Sequence, residues 1–145
     1  MKLTESSPEL ILSALKNADR YDHSLSLALA EVTFCVKSNS RDLIEYLETY
    51  FRNFVYSSLE RPADYEILAL DTPFFDFQTG AGREWTPVER AIAGKSVKES
   101  YIQLDDLRVV KKNKTGLFFI FDSHHHIAAG PCLENANKVI NFVNS

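Results

Sequence analysis

The stretch TGLFFIFDSHHHIAAGPCLENANKVINFVN, residues 115–144, decides the fold class. The apolar run from Leu117 to Phe121 has strand length, and a polar turn at Asp122-Ser123 separates it from another short strand near 126–129. Pro131 then predicts the start of a closing helix over 131–144, because proline fits the first turn of a helix, where its missing N–H costs little. The apolar stripe predicted for this helix consists of Leu133, Ala136, Val139, Ile140 and Val143.

Upstream of this stretch, two further strands are predicted near 98–104 and 107–111. Short polar turns at Asp105-Asp106 and Lys112-Asn113-Lys114 connect them to each other and to the run at 116–121. Four short strands joined by tight polar turns are typical of an antiparallel meander.

The first half of the chain alternates helices and strands. Ser6 as N-cap, Pro8 in the first turn and Glu9 in the capping-box position predict a helix start. Residues 27–37 predict a strand through their β-branched and aromatic content, and 65–70 predict another. Between them, Asn39 with Asp42 predicts the start of a second helix. Its apolar positions at helical spacing are Leu43, Leu47, Tyr50, Phe51 and Phe54.

These elements predict one α+β domain over residues 1–145, with a largely antiparallel sheet flanked by about three helices. The order is α-β-α-β, a long loop, four strands and a final helix. Residues 1–24 are predicted to form an N-terminal helix and linker. Residues 71–96, which carry three of the five glycines and two of the five prolines, are predicted to form a long irregular loop.

The composition excludes some classes of function. A formal net charge of −4 and a pI of about 5.5 argue against nucleic-acid binding, which needs clustered Lys and Arg. No apolar run reaches the length of a membrane span. Cys35 and Cys132 lack CxxC spacing, and with no secretory signal in view we expect a reducing, cytoplasmic setting.

Three short motifs carry a weak chemical signal. Gly94-Lys95-Ser96 has the end of a phosphate-binding loop, but Glu89 stands where the first glycine belongs, so a surface turn is favoured. His124 and His126, with Asp122, could bind a transition metal, although a polar hairpin tip is favoured. Cys132 near a helix start could be a nucleophile, although a buried structural thiol is favoured.

Two sets of residues are candidates for partner binding. The first is the aromatic set of the 71–96 loop, since aromatic anchors dominate interface energetics; the alternative is a satellite core beneath the loop. The second is the set of lysines near the predicted turn at 112–114, which could contact a phosphate or an acidic partner; the alternative is a solvated turn whose lysines prevent pairing at a sheet edge. The predicted partner-binding residues are Phe74, Phe75, Phe77, Trp85, Lys111, Lys112 and Lys114.

Several of these segments resemble the N-terminal accessory region of the HPr-kinase-related kinases, in particular the B-type branch. The similarity rests on Thr115-Gly116, on Gly130-Pro131-Cys132-Leu133-Glu134-Asn135 and on Val139-Ile140-Asn141-Phe142-Val143-Asn144. It extends to residues 36–51, to Lys98-Glu99-Ser100-Tyr101 and to Arg108-Val109-Val110-Lys111-Lys112.

The resemblance implies a partner for the chain. In such kinases a P-loop domain binds ATP and magnesium and transfers phosphate to a serine of a partner protein. This chain has no GxxxxGK[ST] motif, so the resemblance implies a non-catalytic accessory domain without a cofactor of its own. The expected partners are a P-loop kinase domain in cis or in trans, its protein substrate, or a second copy of the chain.

The junction with the kinase domain is expected at Leu133, Ile140 and Phe142. The alternative function is an independent small-molecule-binding domain or small enzyme, with a pocket under the 71–96 loop. Convergence of Asp76, Arg83 and Glu84 on an apolar pocket would favour that alternative, and exposed aromatics on a shallow surface would favour the accessory domain.

Overall fold

A computed structural model describes residues 1–57, 62–88 and 98–144. These residues form ten strands and three α-helices. The strands are β1 (Lys2–Thr4), β2 (His23–Leu29), β3 (Val32–Ser38), β4 (Tyr65–Asp71), β5 (Asp76–Gln78), β6 (Thr86–Pro87), β7 (Glu99–Leu104), β8 (Leu107–Lys112), β9 (Phe118–Phe121) and β10 (His126–Gly130). The helices are α1 (Pro8–Lys16), α2 (Arg41–Tyr50) and α3 (Ala136–Asn144), and a 3-10 turn, Arg52–Phe54, follows α2. The motif Gly94-Lys95-Ser96 and the end of the predicted 71–96 loop lie outside the described residues.

Eight of the strands form one sheet in the order β2-β3-β4-β10-β9-β8-β7-β6. Only β3 with β4 and β4 with β10 pair in parallel, while the other neighbours are antiparallel. The predicted α+β class and the largely antiparallel sheet are therefore confirmed, as is the meander β7-β8-β9-β10. Helix α2 makes the crossover that parallel pairing of β3 and β4 requires.

The sheet carries a hydrophobic core on each face. On one face α2 and α3 pack over residues that include Val36, Ile67 and Phe119. On the other face α1 and the separate parallel pair β1-β5 cover residues that include Leu68 and Phe118. Strand β4 is covered on both sides, which is why its residues 67–70 are all buried and do not alternate with polar ones. None of the helices in the described part of the chain has the length and apolar character needed to cross a membrane.

The single strand predicted over 27–37 is wrong, because this segment is the hairpin β2-β3. The turn between the strands is formed by Ala30 and Glu31, and Ala30 adopts a φ of 56°. Tight hairpin turns with positive φ usually carry Gly, Asn or Asp. Alanine and glutamate carry no turn signal, so the sequence pattern does not separate the two strands.

The helix starts are each displaced from their predicted positions. Ser7 rather than Ser6 caps α1, since its Oγ accepts from the N–H of Leu10 at 3.3 Å. Ser40 rather than Asn39 caps α2, with its Oγ 3.1 Å from the nitrogen of Leu43. Both corrections shift the cap by one residue, because adjacent polar residues compete for the same role.

The closing helix is shorter than predicted. Turns occupy the residues between Pro131 and the start of α3 at Ala136, so the proline does not open the helix. Leu133 falls in these turns and its side chain is 37% exposed, so it is not part of the buried stripe. The other four predicted stripe residues are buried, as expected.

Candidate interaction surface around Phe74

The loop after β4 is held by the N-terminal strand. Strand β1 pairs in parallel with β5, in the register Lys2 with Asp76 and Leu3 with Phe77. The carboxylate of Glu5 then accepts from the backbone N–H of Gly80 at 2.9 Å and pairs with Nε of Arg83 at 2.9 Å. The described part of the predicted irregular loop is thus fixed by strand pairing and one ion pair.

Phe74 protrudes from this fixed frame. Its side chain is 81% exposed, although the main chain on either side of it is hydrogen-bonded: Thr72 N–H donates to the carbonyl of Gly130 at 2.9 Å, and Asp76 N–H donates to the carbonyl of Met1 at 3.0 Å. The carbonyl of Phe74 itself accepts from the Met1 ammonium. The ring lies on a shallow depression of about 390 Å³, which we call the Phe74 surface. It is lined by Met1, Lys2, Pro73, Phe74, Phe75, Asp76, Thr115, Gly116 and Pro131.

The turn before β9 and the end of β10 approach each other closely beside the Phe74 surface. Gly116 belongs to the turn before β9, and Gly130 ends β10 with a φ of +126°. A Cβ on Gly130 would lie only 2.8 Å from the carbonyl oxygen of Gly116. Glycine is required at position 130 both by its backbone conformation and by this close approach.

A polar network supports the same end of the sheet. The side-chain oxygen of Asn39 accepts from the N–H of Asp71 at 2.7 Å, and its amide nitrogen donates to the carbonyl of Asp71 at 2.8 Å. One carboxylate oxygen of Asp71 in turn accepts from Leu133 N–H at 3.0 Å. Asn39 therefore joins the ends of β3 and β4 instead of capping α2. The sequence predicted Asn39 as a helix cap and did not single out Asp71, since nothing local marks a contact across 32 positions.

Of the four aromatic residues predicted to bind a partner from the loop, three pack into the protein interior and only Phe74 is exposed. Phe75 and Phe77 are buried, and Trp85 is half-buried. The ring of Phe118 lies 5.1 Å from that of Phe75 and 6.1 Å from that of Trp85. These residues fold back beneath the loop, as the predicted alternative expected, but they join the core on the α1 face of the sheet instead of forming a separate satellite core. Phe74 is the aromatic of this set that remains at the surface.

The three predicted lysines do not form one patch. Lys111 and Lys112 are consecutive in β8 and so face opposite sides of the sheet. Nζ of Lys111 lies 5.6 Å from the Trp85 ring centroid, while Lys112 pairs with Glu99 on the other face. Lys114 is exposed in the turn next to Thr115, so it is the lysine of this set that adjoins the Phe74 surface.

The histidine segment is organised by Asp122. Its carboxylate accepts from the backbone N–H groups of His124 and His125 at 2.8 and 2.7 Å, and it contacts Nδ1 of His125 at 3.0 Å. Burial alone would raise the pKa of Asp122, but these hydrogen bonds lower it. Among the described residues no group of three or more His, Cys, Asp or Glu side chains is arranged to hold a metal ion.

Cys132 is fully buried, and its Sγ lies 3.4 Å from the carbonyl oxygen of Leu70. Burial, with a smaller effect of Asp71, raises the pKa of this thiol far above its ordinary value. A thiol in this state is a poor nucleophile, because the reactive species is the thiolate. The environment is that of a structural thiol.

The predicted junction residues lie in three different environments. Leu133 is partly exposed and close to Asp71, at the same end of the sheet as Phe74. Ile140 is buried in the core under α3. Phe142 is half-buried and stacks on Phe119 with 4.4 Å between the ring centroids.

The charged residues proposed to line a pocket under the loop do not converge. Arg83 pairs with Glu5, while Asp76 uses its own carboxylate to accept from Phe77 N–H at 2.9 Å. Glu84 is exposed. The space beneath this part of the loop is filled by aromatic rings.

Comparison of the chain with family models, with curated proteins and with solved structures finds no match.

Proposed function

We propose that this chain is a non-catalytic accessory domain that binds a P-loop kinase domain of the HPr-kinase-related type, in cis or in trans, through the Phe74 surface. The observation that carries the proposal is a large aromatic side chain exposed on a main chain that is hydrogen-bonded on both sides. The sequence resemblance supplies the identity of the partner. ATP and magnesium would bind the kinase domain, and the setting would be cytoplasmic.

The geometry of Phe74 favours tight docking. Ordering a flexible segment on binding costs free energy, and a pre-fixed segment avoids most of that cost. The ring would act as a central anchor, surrounded by the apolar Pro73 and Pro131 and by the polar Lys2 and Asp76. Burying a phenylalanine side chain contributes about 1.5–3 kcal/mol, which corresponds to about a 10- to 150-fold change in affinity.

The arrangement also supports an accessory domain over a ligand-binding domain with its pocket under the 71–96 loop. Phe75, Phe77 and Trp85 occupy the space that such a ligand would need in the described part of the loop. Arg83, the cation expected to bind a ligand there, is paired with Glu5.

The test is a quantitative pull-down with purified wild-type chain, Phe74→Ala and Phe54→Ala as baits in lysate of the source cells. Phe54 is a matched control, since it is 47% exposed on the 3-10 turn after α2. Phe75 and Phe77 are kept, because replacing buried phenylalanines would cost about 3–5 kcal/mol of stability each. We expect a P-loop kinase to be recovered with wild type and Phe54→Ala and to be lost with Phe74→Ala. Recovery of no such kinase, or equal recovery with all three baits, would contradict the proposal.

A further inference from the structure

The side chain of Arg108, at the start of β8, is held in place by uncharged partners. It is half-buried, and its guanidinium carbon lies 4.3 Å from the ring centroid of Tyr101. Its Nε donates to the side-chain oxygen of Gln103 at 2.9 Å. The amide nitrogen of Gln103 in turn donates to the carbonyl of Asp105 at 2.7 Å. Stacking and this chain of hydrogen bonds fix the plane of the guanidinium.

The two terminal nitrogens of this guanidinium are unused. Within the described residues, neither Nη atom of Arg108 donates to a protein acceptor, and no carboxylate pairs with the side chain. The other described arginines differ, since Arg41 and Arg83 pair with glutamates, and Arg20 and Arg52 are exposed. A partly buried charge is costly without a partner, and the Nη edge of a guanidinium matches the two oxygens of a carboxylate. The side chain is therefore prepared for an anion.

An apolar depression adjoins the guanidinium. It has a volume of about 360 Å³ and lies between Phe142 of α3 and the strands β7 to β10. Tyr101, on which the guanidinium stacks, lies opposite Val110 in the sheet, and Phe121 lies opposite Arg108 itself. Side chains of opposite residues are neighbours on one face of a sheet, so the depression begins beside the guanidinium. The apolar residues that line it are Val110, Phe119, Phe121 and Phe142.

The charges around this depression limit the charge of a ligand. Lys112 and Glu99 line its far end and pair with each other, so they compensate one another. Burial lowers the pKa of His126, which also lines the depression, so this imidazole is neutral at pH 7.5. The exposed turn Asp105-Asp106 before β8 disfavours a second negative charge near the guanidinium. One guanidinium thus balances one negative charge.

We propose that Arg108 and the adjoining depression bind a small aromatic monocarboxylate, with its carboxylate on the Nη edge of Arg108 and its ring on the apolar lining. The volume suits one or two fused rings, and edge-on or offset contacts with the phenylalanines would add to the burial of area. This site is separate from the Phe74 surface, because Gly116 of that surface donates to the carbonyl of Lys112, at the other end of β8.

The test compares two probes of the same shape on the intact chain at pH 7.5 and constant ionic strength. 2-Naphthoate carries a carboxylate, whereas 2-naphthamide is neutral. Affinity is measured by NMR titration, and the ¹⁵N resonance of Nε of Arg108 is followed in the same samples. We expect 2-naphthoate to bind about tenfold more tightly and to shift this resonance, as hydrogen bonds from a charged group would produce. The net charge of −4 disfavours non-specific attraction of an anion, so such a preference requires a local cation.

Variants then assign the preference to one residue. Arg108→Gln should bind the two probes equally, and Arg108→Lys, which keeps the charge but lacks the planar fork, should keep only part of the preference. In the exposed control Arg52→Gln the preference should be unchanged.

Equal affinity of the two probes for the native chain would overturn the proposal, as would an unchanged Arg108 resonance. A preference that survives in Arg108→Gln, or is complete in Arg108→Lys, would also contradict it. The probe comparison on the native chain decides the matter even if Arg108→Gln does not fold.

Discussion

Replacing Gly130 by alanine should destabilise the domain strongly, for two reasons that can be separated. The φ of +126° at this position is a conformation that residues with a Cβ rarely adopt, which costs about 1–3 kcal/mol. The new Cβ would also lie 2.8 Å from the Gly116 carbonyl oxygen and 3.3 Å from Cα of Leu117. These are backbone atoms, which cannot rotate away as a side chain would, so overpacking adds about 1–3 kcal/mol. The expected loss in the free energy of unfolding is therefore about 2–6 kcal/mol.

Gly82→Ala provides the matched control for this prediction. Gly82 also has a positive φ, +78°, but nothing lies within 4 Å of the position that its Cβ would occupy. Only the backbone conformation is penalised there, by about 1–2 kcal/mol. Urea unfolding followed by circular dichroism gives both values, provided that the dependence on urea is the same in all three proteins.

We expect Gly130→Ala to lose about 2 kcal/mol more of the free energy of unfolding than Gly82→Ala does. On heating, this corresponds to a midpoint about 6 °C below that of Gly82→Ala. Equal losses in the two variants would refute the close approach between the Gly116 turn and the end of β10. Gly116 lines one border of the Phe74 surface, so loss of this approach would also displace that border.

Three further predictions test other parts of the structure. A thiol reagent at pH 8 should label the half-exposed Cys35 in the folded protein but should label Cys132 only in urea, because burial raises the pKa of Cys132 and excludes the reagent. Rapid labelling of both thiols in the folded protein, measured by mass spectrometry, would contradict the burial of Cys132. The pKa of His126 is lower in the folded protein than in the unfolded chain, so the unfolded chain binds a proton first and the free energy of unfolding should fall as the pH drops through about 6.5. His126→Phe should flatten this pH dependence between pH 7.5 and 5.5, a range in which Asp122 does not contribute because its lowered pKa acts only below about pH 4. An unchanged slope in the variant would show that His126 does not cause the loss of stability. Asn39→Ala should lower the free energy of unfolding by about 1–3 kcal/mol, measured in urea, and should speed hydrogen exchange at the N–H of Asp71, because the variant removes the hydrogen-bond partner of that backbone. An unchanged exchange rate would contradict the network.

The strands in the second half of the sheet could be predicted well, because the residues that define them are close together in the sequence. Strands β7 to β10 each begin and end within about two residues of their predicted bounds. Polar turns separate them, and the antiparallel meander needs no contact between distant segments. The hairpin β2-β3 was missed for the opposite reason, since Ala30 and Glu31 make a tight turn without the residues that mark one.

Only part of the candidate site could be predicted from the sequence. The aromatic cluster at 74–77 can be recognised from the sequence as a group, but its division into buried and exposed residues depends on β5, which begins directly after the buried Phe75 and contains the buried Phe77. That strand exists because it pairs with β1, more than seventy residues away. A three-residue strand stabilised by so distant a partner leaves no periodic pattern to detect. The contacts of Glu5, Asn39 and Asp71 could not be predicted either, because each joins residues that are far apart in the sequence.

The most direct test of the proposed function is photo-crosslinking in the source cells with p-benzoyl-phenylalanine placed at position 74 or, as a control, at position 54. Both side chains are exposed, so the probe should be tolerated at either position. We predict that a P-loop kinase domain of the HPr-kinase-related type is crosslinked from position 74 and not from position 54, as identified by mass spectrometry of the joined peptides. No crosslink to such a domain from position 74, or equal crosslinks from both positions, would contradict the claim that the Phe74 surface is its docking site.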